Sequence, residues 1–194
     1  MYLADFIKEK LSLEEYSFSK DELQEVIQKD KEDLTTDLSY LTKKGDIIPL
    51  RREFFLIIPP RYSKQTKLPI QLYSEKLFKY LERPYYIGLY SAAKFHGASH
   101  QQIQRDNILT KKSDAGIFKI SDPVLTAVDL IHYQNKLGGL NRMLSVLEEL
   151  MDSITYSNLS DLLSWYPHKS TLQRLGYFID GFENDNEELI QVLT

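Results

Sequence analysis

Near the amino end, two short apolar periodicities of helical type are followed at once by two runs of strand type. Leu23, Val26 and Ile27 recur at helical spacing behind Ser19 and Glu22, an S-x-x-E capping box that satisfies orphan amides at a helix start. After polar Gln28, Lys29 and Asp30, Leu34, Leu38 and Leu41 repeat at i, i+4 and i+7, which predicts a second helix with one buried stripe. Gly45 and Asp46 close it. Ile47-Ile48-Pro49-Leu50 and Phe54-Phe55-Leu56-Ile57-Ile58 then read as strands separated by Arg51-Arg52-Glu53. Helix, turn, helix and basic-tipped hairpin, in that order, are the layout of a winged helix-turn-helix, and they predict duplex DNA as the partner. Residues 1–9 read as an amphipathic helix of mixed charge rather than a signal peptide.

From Pro59 to Pro69 the prolines oppose a helix and the polar residues give no apolar period, so a linker is expected at 61–72. A helix is predicted at 74–82, with Leu77, Phe78 and Leu81 on one face, Ser74 as its cap and Pro84 as its stop. Another is predicted at 89–95, closing at Gly97, and 117–120 reads as a strand. Ser121 or Asp122 caps a longer helix that opens near Pro123 and carries Leu125, Val128, Leu130 and Ile131. Further helices are expected at 140–151 behind the break Gly138-Gly139, around Leu159, Leu162 and Leu163, and at 171–178. The acidic stretch 183–188 reads as a solvated end. The expected fold class is α+β: a winged helix-turn-helix over 1–60, a linker over 61–72, and over 73–194 a larger, mostly helical domain with a small β-sheet.

At about 100° per residue, the three leucines of the second helix leave Glu32, Thr35, Thr36, Ser39, Tyr40 and Lys43 on its opposite face. Hydroxyls hydrogen-bond base edges or phosphates, and a lysine neutralises a phosphate. The formal net charge of −4 argues against nucleic acid, but its distribution changes the picture. Residues 42–83 hold ten Lys or Arg against four Asp or Glu, whereas 113–194 hold five against twelve. The candidate DNA contacts are therefore Thr35, Thr36, Ser39, Tyr40, Lys43 and Lys44 from the helix. Arg51 and Arg52 join them from the hairpin tip, with Arg61 and Lys64 beyond it. The same residues also fit a plain solvated face on a small helical hairpin.

With no cysteine, disulfides and thiolate metal sites are excluded. No apolar run approaches membrane-spanning length, so a soluble, cytoplasmic protein without a membrane partner is expected.

Catalytic readings find little support. His96 and His100 are four apart, but Gly97 lies between them and no glutamate adjoins the first, as a metalloprotease motif needs. A hydrolase acting through His96, His100 and Asp106 is the weakest reading of the chain. Asp129 and His132, one helical turn apart, are expected to form a buried, satisfied carboxylate–imidazole pair. Gly138-Gly139 lacks the preceding strand and the spacing of a phosphate cradle. Tyr85, Tyr86 and Tyr90, beside Arg83 and Lys94, could stack on bases, although core packing suits them better. No enzyme, cofactor or metal is expected.

Residues 83–102, Arg83-Pro84-Tyr85-Tyr86-Ile87-Gly88-Leu89-Tyr90-Ser91-Ala92-Ala93-Lys94-Phe95-His96-Gly97-Ala98-Ser99-His100-Gln101-Gln102, resemble the signature of the AbiEi antitoxin family. Residues 121–130, beginning Ser121-Asp122-Pro123, then Gly138-Gly139-Leu140-Asn141-Arg142 and Gln173-Arg174-Leu175-Gly176-Tyr177 follow the same pattern in order. With the amino-terminal module, the resemblance covers nearly the whole chain. It implies a type IV toxin–antitoxin, phage-abortive-infection protein that represses its own operon by binding inverted repeats in double-stranded operator DNA. It also implies that the carboxy-terminal domain counters a cognate toxin of nucleotidyltransferase fold without a stable complex. Ser91, His96, Gly97, Asp129, Gln173 and Arg174 match the family's motifs and are read as structural landmarks.

Two features depart from the family. Only residues 103–116, mostly polar, separate the Ser-His-Gln-Gln segment from the strand, where a longer strand-containing stretch is usual; either a hairpin is lost or a disordered stretch is missing here. At the wing tip, Arg52-Glu53 stands where a tight turn calls for glycine. The alternative function is a protein-interaction module whose winged helix docks a protein partner rather than DNA.

Overall fold

The Ser19 hydroxyl accepts from the Glu22 amide at 3.1 Å and the Glu22 carboxylate accepts from the Ser19 amide, so the capping box starts a helix where the sequence places it. The computed structural model describes residues 2–65, 67–96, 107–182 and 189. The chain packs as two compact units, one of Met1–Tyr85 with Lys112–Phe118, the other of Tyr86–Lys111 with Lys119–Thr194.

The first unit contains α1 (Leu3–Ser12), β1 (Ser17–Ser19), α2 (Lys20–Val26), α3 (Lys31–Lys44), β2 (Ile47–Arg51), β3 (Phe54–Ile57) and α4 (Ser74–Tyr80). The apolar stripes meet in one cluster of Leu3, Phe6, Phe18, Leu23, Ile27, Leu34, Leu38, Ile47 and Ile57, with Leu41 half-buried beside it. Complete burial of such side chains stabilises the fold by roughly 1.5–3 kcal/mol each. Val26 falls off the stripe and is exposed. Gly45 takes the left-handed conformation that ends α3, with φ of 82°. The strands form an antiparallel sheet in the order β1-β3-β2, with Phe18 opposite Phe55 and Ile48 opposite Leu56. The register slips between Pro49 and Arg51, and Glu53 adopts φ of 62°, the conformation the absent glycine would supply. The Glu53 carbonyl accepts from the Lys20 amide at 2.8 Å, which fixes the tip against the start of α2.

A second apolar cluster joins Tyr16, Phe54, Leu56, Ile58, Leu68 and Leu72. The expected linker therefore buries Leu68 and Leu72, and it carries 3-10 turns at Pro60–Tyr62 and Ile70–Leu72. Ser74 is not the cap of α4. Tyr73 precedes the helix, while Ser74 is wholly buried within it, its hydroxyl directed at the Tyr85 hydroxyl 3.4 Å away. That helix ends at Tyr80, ahead of Pro84.

In the second unit, α6 (Pro123–His132) is buried from Pro123 to Ile131. The helices α5 (Leu89–His96), α7 (Leu140–Met151), α8 (Tyr156–Trp165) and α9 (Lys169–Gly181) all pack on it. Asp122 caps α6, its Oδ1 accepting from the Leu125 amide at 2.8 Å, and Pro123 fills the first turn where no donor is missed. Gly138 and Gly139 both have positive φ and turn the chain into α7. Strands β4 (Ile108–Ser113) and β5 (Gly116–Ser121) form the second sheet, and Ile87 bridges in parallel to Ile120. Of the two expectations for this stretch, the lost hairpin is overturned: β4 pairs with β5, and Leu109 is buried.

The Asp129–His132 pair does not form. Asp129 accepts from the Tyr86 hydroxyl, and His132 faces Thr171 at 3.4 Å. Gly97, His100, Asp106 and the 183–188 stretch lie outside the described residues. No helix among the described residues is long and apolar enough to cross a membrane.

Candidate nucleic-acid interface

On α3, Thr35, Ser39 and Lys43 stand at i, i+4 and i+8 and line one open groove of about 500 Å³. Its floor is Leu38 and Phe55, and its far wall is Lys20 and Glu53. Neither wall residue was found from the sequence; the chain reversal at β3 brings both there, and no periodicity in α3 reports it. Tyr40, 65% exposed, faces a different depression, shared with Tyr2 and Leu3 of the amino-terminal segment. Thr36 spends its hydroxyl on the Glu32 carbonyl at 3.1 Å, a local bond that competes with any base contact.

The cations sort into paired and unpaired. Lys44 is tied to Asp46 at 2.7 Å. Arg61 reaches Asp114 at 3.0 Å and the Tyr16 hydroxyl at 2.7 Å, with its guanidinium over the Tyr16 and Tyr62 rings. Lys76, part of the basic band, belongs to a quartet in which Lys10 and Lys76 each bridge Glu15 and Glu22. Lys43, Arg51, Arg52 and Lys64 are exposed and have no ion pair among the described residues. The positive surface of the first unit is therefore narrower than the count of lysines and arginines implies.

Of the candidate catalytic residues, His96 and Asp129 are buried in the second unit, whereas His132 is exposed. His96 is buried with Nε2 2.8 Å from the Ser121 carbonyl, and burial lowers its imidazole to about 4. Asp122, raised to about 6 by burial, accepts from Asn107 Nδ2 at 2.7 Å, and Trp165 Nε1 donates to Asn107 Oδ1 at 3.1 Å. Asp129 is likewise raised to about 6 by burial. The tyrosines offered for base stacking are engaged: Tyr85 stacks on Phe78, Tyr86 binds Asp129, and Tyr90 lies under the Arg142 guanidinium at 4.9 Å. No group of three or more metal-ligating side chains occurs among the described residues.

The second unit is thus a core of helices packed around α6, with His96, Asp122 and Asp129 held by internal hydrogen bonds. Residues 110–181 match the family model of the AbiEi antitoxin C-terminal domain. That match, confined to this domain, makes the carboxy-terminal part of the chain similar to AbiEi antitoxins and supports an antitoxin role in a toxin–antitoxin system. The motif segments at 121–130, 138–142 and 173–177 fall inside it, whereas 83–102 precedes it. No curated protein matches the chain.

Proposed function

We propose that the protein is the DNA-binding autorepressor and antitoxin of a type IV toxin–antitoxin system, countering a nucleotidyltransferase-fold toxin without a stable complex. In this reading residues 1–60 are a winged helix-turn-helix, 61–72 a linker and 73–194 the antitoxin domain. The observation that carries it is the shared groove of Thr35, Ser39 and Lys43 against the hairpin whose tip presents Arg51 and Arg52 unpaired. The hydroxyls of Thr35, Thr36 and Ser39 and the Tyr40 ring serve base edges and sugar. Lys43, Lys44, Arg51, Arg52, Arg61 and Lys64 serve phosphates, the two ion-paired ones by exchanging carboxylate for phosphate.

The test is fluorescence anisotropy of the full chain on duplex DNA from upstream of its own gene, beside a scrambled duplex, across a salt series. Preference for the native duplex with steep weakening in salt supports the repressor. Arg51→Ala with Arg52→Ala should flatten the salt slope by roughly two on both duplexes, and Thr36→Ala with Ser39→Ala should relax sequence choice. Equal, weak binding to both duplexes would leave the first unit as a protein-docking module.

A further inference from the structure

Asp129 sits on the last full turn of α6 with His132 and Tyr133 at i+3 and i+4, so the three share one helix face. Its Oδ2 accepts from the Tyr86 hydroxyl at 3.0 Å. Its Oδ1 has no hydrogen bond among the described residues, and the residue keeps 7% of its surface exposed. No cationic side chain of the described residues stands against this carboxylate; the Tyr86 hydroxyl alone draws its proton affinity down against burial. A carboxylate 7% exposed, singly hydrogen-bonded and without a counter-charge is costly to keep ionised.

A row of aromatic rings in mutual contact starts from the same helix face, at His132 and Tyr133. Tyr133 meets His132 edge-on at 4.7 Å, His132 stacks on His168 at 4.3 Å, and His168 meets Tyr166 edge-on at 5.6 Å. Trp165 continues the row at 5.8 Å from Tyr166. Tyr86, Tyr133 and Trp165 leave 39%, 41% and 47% of their surface to solvent. Gly88 lets the loop close on the acid: a Cβ there would lie 3.3 Å from Asp129 Oδ2 and 3.1 Å from the Tyr86 ring.

We propose that Asp129 and the rings beside it form a receptor for one arginine side chain of a protein partner. A guanidinium is planar, stacks on aromatic faces and donates to a carboxylate in charge-assisted hydrogen bonds, so it meets both halves of this surface. The excess of acid over base across 113–194, twelve to five, favours a basic partner surface. Buried aromatics and arginine are also the residue types that dominate protein-interface energetics. All residues of the receptor lie in the second unit, so the inference does not depend on DNA binding by the first.

The test uses the full chain, with acetyl-Gly-Arg-Gly-amide and its citrulline counterpart as probes; citrulline keeps the shape and loses the charge. Emission of Trp165, the only tryptophan, and NMR shifts of Tyr86 and Tyr133 report binding. The arginine peptide should saturate, with the citrulline peptide and the Asp129→Asn protein each at least about tenfold weaker, or about 1.4 kcal/mol. Tyr133→Ala should weaken the arginine peptide several-fold with an unchanged melting temperature. An equal response to citrulline, a response retained in Asp129→Asn, or none by about 10 mM peptide, the weak limit for a single side chain, overturns the proposal. Operator binding measured on the same Asp129→Asn protein separates this failure from that of the repressor reading, since DNA affinity should be unchanged.

Discussion

The Tyr86 hydroxyl donates to Asp129 Oδ2 at 3.0 Å across 43 positions of sequence, and it is the one hydrogen bond that this buried carboxylate receives from the described residues. Burial pushes Asp129 up to about 6 and pushes the Tyr86 phenol up as well. A carboxyl raised in the fold contributes stability that is fully present below its unfolded value near 4 and lost as pH rises through about 6. Asp129→Asn keeps the shape and an acceptor for Tyr86. It should therefore be more stable than the parent above pH 6 by about 1–3 kcal/mol, with the advantage gone at pH 4. Urea titrations at pH 4 and 7.5 check it; equal differences at both pH values would sink the linkage.

The same bond makes a second prediction. Tyr86→Phe removes the hydroxyl that draws Asp129 down, so the carboxyl should titrate above about 6. Carbon-detected NMR of the aspartate carboxyls reads this directly. A value that falls or stays put would show that the tyrosine positions the loop without stabilising the anion.

How far the sequence reveals these relationships depends on how local they are. The capping box of α2, the Leu34–Leu38 stripe and the 140–151 helix rest on neighbours within a turn or two, and the structure has them at the expected positions. Three-residue β1 carries too short an alternation to register, and it exists because β3 lies opposite it. In β4 only Leu109 is buried, so its polar run reads as loop. Asp129 has His132 one turn away and yet binds Tyr86, because the loop at Gly88 brings the phenol closer than the helix brings the imidazole. Lys20 and Glu53 line the groove beside α3 through sheet pairing, which no single-helix pattern encodes.

Lys10, Glu15, Glu22 and Lys76 form an alternating quartet. Burial alone would raise both glutamates, and the two lysines outweigh it and hold them below the usual range. A depressed carboxyl contributes stability that is present above its unfolded value and lost as pH falls through the folded one. Lys76→Met should cost under about 1 kcal/mol at pH 7, since these side chains are a third exposed, and the cost should shrink in high salt and vanish in acid. Thermal melts of both proteins at pH 7 and pH 3, with and without salt, measure it. A difference that persists at pH 3 would assign the effect to packing of the lysine stem.

Glu53 holds φ of 62° at the hairpin tip, where a side chain is strained and glycine is not. Glu53→Gly should raise stability by about 0.5–1 kcal/mol while the Lys20 amide keeps its carbonyl partner. If duplex DNA lies in the groove that Glu53 lines, removing its charge should also tighten binding on native and scrambled duplexes alike. Lower stability in the glycine protein would mean that the side chain itself holds the turn.

Asn107 combines a left-handed backbone, φ of 53°, with a buried junction: its amide donates to Asp122 Oδ2 and to the Asn158 carbonyl, and its oxygen accepts from Trp165 Nε1. Asn107→Gly keeps the backbone conformation and deletes all three bonds, leaving the Asp122 carboxylate with fewer donors. Partners left unsatisfied in a buried network cost about 1–3 kcal/mol each, so a loss of roughly 2–4 kcal/mol is expected. The Asp122 carboxyl, already near 6, should rise further because the Asn107 donor is one of the bonds holding it down. Stability by urea and the Asp122 titration by NMR should therefore move together. A stability loss with Asp122 unmoved would place the cost at Trp165 and Asn158 instead.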